Sequence, residues 1–192
     1  DDKGSTLINT YQDGRGELPS FASKIWLDEA KNSLRAIIRH VNGRSYRSRV
    51  IGYVPISGIS WEWMHFGAQH RNFVDYSAPF ARAFQAWLKG EYGTPAALSA
   101  AHGSPYGDFS EVAVPKKEDR ERNDGMFFLD PQKRRPLIDF RRFISQLIAD
   151  DILGLARVVK EETGARALCG TYYGYVMYVL SPRWNETGHF AL

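Results

Sequence analysis

Cysteine is nearly absent from this chain. Cys169 is the only one, so no disulfide closes within these residues and no thiolate cluster holds a metal. It falls in an apolar stretch, where a single thiol is expected to be inert core. Long apolar runs are missing as well, and none approaches the length a membrane-spanning helix needs. No signal-peptide pattern opens the sequence. The net charge is only +3, and the basic residues are dispersed apart from Lys116-Lys117 and Lys133-Arg134-Arg135. Those two clusters read as solvated loop charge, which argues against a nucleic-acid surface. There is no internal repeat and no low-complexity segment.

What remains is an ordinary globular composition with one bias. Of the 192 residues, 43% are hydrophobic and 24% charged, which suits a soluble domain with a sizeable core, cytoplasmic or secreted. Aromatic residues reach 14%, with five Trp and ten Tyr. Such an excess fills a core, but Trp and Tyr also present flat apolar faces on which sugars stack.

Helical periodicity marks three main segments. Ala30, Leu34, Ile37, Ile38 and Val41 share one face of a helix expected over about 27–41, closed by Asn42-Gly43. A second helix is expected from Ala78 to Tyr92, with a cap within Asp75–Ser77, Phe80, Phe84, Trp87 and Leu88 on one face, and Gly93 as its stop. Thr94-Pro95 then starts a short helix to about Ala101, with Thr94 as cap and Pro95 first in the turn. A long helix is expected over about 137–163, ending at Gly164. Between them, residues 103–136 read as one long irregular segment, a length usually tied to function. Residues 1–23 read as loop with one possible strand at 6–11, and residues 183–192 as loop.

Two apolar stretches break the helical pattern and end alike. Val50–Ile56 reads as a buried strand that breaks at Ser57-Gly58 and runs into Trp61-Glu62-Trp63. Ala167–Gly170 reads as a second strand, running into Thr171-Tyr172-Tyr173-Gly174-Tyr175. The helix–strand alternation implies an α/β fold. If the two strands are parallel neighbours, Trp61, Glu62 and Trp63 share one rim with Tyr172, Tyr173 and Tyr175. That is an aromatic-walled pocket with one carboxylate. In a (β/α) barrel the active site lies at this end of the strands. The plainer alternative is that these aromatics pack between strand and helix.

Five blocks carry a family resemblance over about 25–175: IGYVPISGISWEWMHFG, YSAPFARAFQAWLKGEYGTPAALSAAHGS, DFSEVAVP, DPQKRRPLIDFRRFISQLIADDILGLARVVKEETG and ALCGTYYGY. In this order the chain resembles the catalytic barrel of glycoside hydrolase family 42, the β-galactosidases, and related members of the same retaining clan. The resemblance implies an α/β fold: part of a TIM (β/α)8 barrel, from after its third strand to after its fifth, with a helical excursion after the acid-bearing strand. Residues 1–192 then form part of a single barrel domain.

The implied chemistry is retaining hydrolysis of a β-galactoside-like bond by two carboxylates roughly 5–5.5 Å apart. Glu62 matches the family's acid/base, and Trp61, Trp63, His65, Tyr172, Tyr173 and Tyr175 are expected to contact substrate. Two positions depart from the family. Trp61 stands where an Asn precedes the acid and contacts the sugar 2-hydroxyl, and His102 stands where a Trp precedes Gly103. A complete barrel needs about 250 residues, and no residue here matches the family nucleophile at the end of the seventh strand. The nucleophile is therefore expected outside these residues. His65, His70 and Asp75 lie close in sequence, but the cysteines that hold a metal in some relatives are absent, so no metal or other cofactor is expected. The resemblance makes carbohydrate the partner, with neither nucleic acid nor membrane, and allows a homotrimer. The alternative is a non-catalytic carbohydrate-binding or structural barrel.

Overall fold

The computed structural model describes residues 8–9, 16–17, 19–57, 62–63, 75–121 and 129–173. Near the start, β1 (Ile8–Asn9) pairs antiparallel with β2 (Gly16–Glu17). The expected strand at 6–11 is thus present in its middle, and its partner strand was not foreseen. The expected loop at 183–192 lies outside the described residues.

Helix α1 spans Lys24–Asn42. It begins three residues before the expected start at about residue 27 because the Ser23 hydroxyl accepts from the Trp26 N–H and caps the first turn. A 3-10 turn at Ser45–Arg49 leads to β3 (Gly52–Tyr53). Helix α2 spans Ala78–Tyr92, capped by Ser77 and stopped by Gly93, the bounds the sequence implies. Helix α3 spans Pro95–His102 under the Thr94 cap. The stretch read as irregular holds a 3-10 turn at Phe109–Glu111 and the short α4 (Lys117–Glu121). Helix α5 spans Arg135–Thr163, two residues longer at its start than the apolar pattern. Pro136 is tolerated in that first turn because the N–H it lacks would have no intrahelical partner.

Helix α5 is the spine. One stretch of its buried side meets α2, where Phe80 and Phe84 pack on Phe140 and Phe143 at ring separations of 5.2–6.1 Å. Three of these four contacts are steeply tilted or edge-on, as the ring quadrupoles favour. Farther along, Val158 and Val159 join Ile38 of α1 and Ala167 in a second core. Across this join Arg39 donates to both carboxylate oxygens of Glu162, at 2.8 and 2.7 Å. Gly164 ends α5 in the left-handed conformation, and Ala165 follows with φ of 61°. This tight reversal sends the chain straight into β4 (Leu168–Cys169).

Strands β3 and β4 pair in parallel, Gly52 beside Leu168 and Tyr53 beside Cys169. Parallel neighbours need a long crossover, and α2 to α5 supply it. Gly52 is required here. A Cβ at that position would lie 2.8 Å from the Leu168 carbonyl oxygen and 2.9 Å from its Cβ. The ladder is shorter than the two apolar stretches, Val50–Ile56 and Ala167–Gly170, suggest. Pro55 has no N–H to contribute, and its carbonyl is taken by other donors, as described below.

The faces of this pair differ. Tyr53, Ala167 and Cys169 pack onto Ile38, Val158 and Val159. By alternation the opposite face carries Val54, Ile56, Leu168 and Tyr172, which are 46–66% exposed. Among the described residues, no helix is long and apolar enough to cross a membrane.

Candidate active site at the strand ends

The parallel register controls what happens past the ladder. Leu168 N–H donates to the Ile51 carbonyl at 2.9 Å, and Gly170 N–H to the Tyr53 carbonyl at 3.1 Å. The next acceptor in this series is the Pro55 carbonyl. It is met instead by two side chains, the Trp63 indole N–H at 3.2 Å and the Thr171 hydroxyl at 3.4 Å. The Trp63 backbone N–H donates to the Tyr172 carbonyl at 3.3 Å. The segment carrying Glu62 is therefore tied to the ends of both strands.

Four of the expected site residues fall within the described residues. Glu62 is half-buried and immediately precedes Trp63. Trp63 is wholly buried, its ring 5.8 Å from Phe21 and 6.4 Å from Trp26, so it offers no free face. Tyr172 is 57% exposed beside the Trp63 backbone. Tyr173 turns the other way, and its hydroxyl donates to the Ser145 carbonyl of α5 at 3.2 Å. Burial there pushes its phenol up to about 12. Trp61, His65 and Tyr175 lie outside the described residues, as does His70. Among the described residues, no group of three or more His, Cys, Asp or Glu side chains could hold a metal ion.

A second polar cluster escaped sequence reasoning. Asp139 is completely buried near the start of α5. It accepts from the Tyr92 hydroxyl at the end of α2 and lies 3.1 Å from His102 Nε2 at the end of α3. Arg135 Nε stands 3.0 Å from its other oxygen, and Arg142 lies at 3.6 Å. Burial alone would raise this carboxyl, but the hydrogen bonds from His102 and Tyr92 and the charge of Arg135 outweigh it and hold Asp139 below the usual range. As an ionised carboxylate Asp139 only accepts, so His102 donates from Nε2. The available signal was an acid on the apolar face of α5, four residues after Arg135. The cluster ties the ends of α2 and α3 to α5 and so braces the crossover.

The family model for glycoside hydrolase family 42, described as β-galactosidase, matches residues 63–180. The match begins one residue after Glu62. The β-galactosidase BbgII of Bifidobacterium bifidum is 30% identical over 133 residues, covering 67% of this chain. This chain spans 16% of that relative's length. The crystal structure of a β-galactosidase from the psychrophilic Marinomonas ef1 superposes with a TM-score of 0.60 at 19% identity, over 91% of this chain and 24% of that one. That superposition supports the α/β fold.

Proposed function

From the chain's membership of glycoside hydrolase family 42, the β-galactosidases, we propose that it carries the acid/base half of a retaining β-galactoside hydrolase. In this reading β3 and β4 are the fourth and fifth strands of a (β/α) barrel, and α2 to α4 are an excursion between them. Glu62 protonates the departing glycosidic oxygen, then takes a proton from the water that releases the sugar. The nucleophile comes from chain outside these 192 residues, roughly 5–5.5 Å from Glu62. Tyr172, exposed beside the tied strand ends, is the aromatic face open to a sugar. Trp61, His65 and Tyr175 complete the proposed substrate contacts.

One observation carries the reading. Two parallel, adjacent strands end together, and the segment bearing the acid is bonded to both ends. Active sites of this architecture lie at that end of the strands. Tyr173 and Trp63 face the interior, so in this reading they support the rim from behind.

The test is turnover of a β-galactoside by the protein in its natural full length. Glu62→Gln keeps shape but carries no transferable proton. It should lower kcat by about 10²–10⁴-fold, the usual contribution of a positioned acid–base group. A wild-type protein that binds galactosides and turns none over would instead indicate a binding module.

A further inference from the structure

We propose that Trp63 is a positioning residue for Glu62, and that its indole N–H, bonded to the Pro55 carbonyl, sets where the acid stands relative to the scissile bond. This inference rests on the reading of Glu62 as acid/base. Glu62 immediately precedes Trp63, and Trp63 is anchored at three points. Its backbone N–H is bonded to Tyr172 at the end of β4. Its indole is bonded to Pro55 at the end of β3. Its ring is enclosed by Phe21 and Trp26. The backbone one bond before such an anchor has little freedom left.

The Pro55 carbonyl is a suitable fixed point. Proline locks its own φ, and Tyr53, two residues earlier, is held in the parallel ladder. A β-strand neighbour would have offered that carbonyl a backbone N–H. Here the indole and the Thr171 hydroxyl serve instead. The chain carrying the acid thus replaces the next rung of the ladder. Trp suits this place because it combines a large buried ring with an N–H donor at its edge. Proton transfer requires hydrogen-bond reach, about 2.6–3.2 Å between heavy atoms. A displacement near 1 Å can cost about 100-fold in rate.

The experiment is steady-state kinetics of the full-length protein on a β-galactoside, with a pH–rate profile, for wild type, Trp63→Phe, Thr171→Val and Glu62→Gln. Trp63→Phe keeps an aromatic ring and removes the N–H. It should lower kcat by roughly 10-fold or more with KM within about twofold, and move the limb of the profile that reports the acid. Thr171→Val removes the second donor to the same carbonyl and should move the same quantities in the same direction by less. A role confined to stability would lower the melting temperature of both variants and leave kcat and the profile unchanged well below it. That result would overturn the inference while Glu62→Gln still abolished turnover. If Trp63→Phe fails to fold, an unchanged kcat and profile in Thr171→Val overturns it. Loss of the reading of Glu62 itself would look different, as full turnover in Glu62→Gln or none in the wild type, and would remove this inference with it.

Discussion

Helix α5 carries two buried acids, and they behave in opposite ways. Asp139 is enclosed by Tyr92, His102, Arg135 and Arg142, and its carboxyl is held below the usual range despite its burial. Asp151, about three turns later, is 3% exposed, and one of its oxygens has no hydrogen-bond partner. Burial raises its carboxyl to about 7, more than Lys31 across the α1 interface lowers it, and Asp150 adds to the rise. The same element, the same residue type and nearly the same burial give opposite shifts, so the donors decide the charge. A carboxyl near 7 has the acidity a glycosidase proton donor needs. Yet Asp151 faces another helix, while Glu62 stands at the strand ends. A shifted acid marks a candidate, and geometry decides whether it is a site.

The comparison can be broken from its stronger side. Asp139→Ala should destabilise the fold by about 3–5 kcal/mol, because it strands the buried donors that converge there. Chemical unfolding measures this, and a loss under about 1 kcal/mol would mean the cluster is not the brace described above. The depressed carboxyl has its own signature. Its contribution is full above the ordinary Asp value and fades as pH falls through the lower, folded value, so the Asp139→Ala deficit should shrink in acid.

Asp151 should do the reverse. Its folded value of about 7 lies above the ordinary 3.8, so the folded state holds a proton that the unfolded state has released. Stability therefore falls as pH rises between about 4 and 7, and the full loss remains above that window. Asp151→Asn cannot ionise and escapes it. The variant should be more stable than wild type near pH 8 by on the order of 2–4 kcal/mol, and the gap should close toward about pH 4. A gap that does not vary with pH would show that Asp151 is not the titrating group. Weaker effects should follow from partial changes. Tyr92→Phe removes one donor to a charged acceptor and should cost about 1.5–3 kcal/mol in the same unfolding experiment. Smallest is Arg39→Ala, which removes a solvent-exposed pair with Glu162 and should barely move the midpoint. A large shift there would mean that α1 is clamped to α5 by surface charge more than by the Ile38 and Val158 contacts.

The helices were legible in the sequence because caps and period are local signals. Ser77 and Gly93 bound α2 as expected, and Thr94-Pro95 opens α3. The likeness of the two apolar stretches, each ending in a glycine and aromatic pattern, was legible, whereas their parallel pairing stood only as a condition that the structure meets. The short ladder was not, because it depends on a carbonyl at Pro55 being claimed by Trp63 and Thr171 from distant parts of the chain. The burial of Trp63 was hidden for a similar reason. Phe21, which covers it, lies in a segment that reads as loop. Asp139 was hidden because its partners sit on three helices: Arg135 and Arg142 lie near it on α5, but Tyr92 and His102 come from 47 and 37 residues away.

The most direct test of Glu62 compares two leaving groups in the full-length protein. An aryl β-galactoside with a dinitrophenolate leaving group needs no proton for its departure, whereas one with an alkyl alcohol does. If Glu62 is the acid, Glu62→Gln should slow formation of the glycosyl-enzyme from the alkyl galactoside by about 10²–10⁴-fold and leave the same step with the dinitrophenyl galactoside nearly untouched. Equal slowing of that step for both substrates, or for neither, would contradict the assignment.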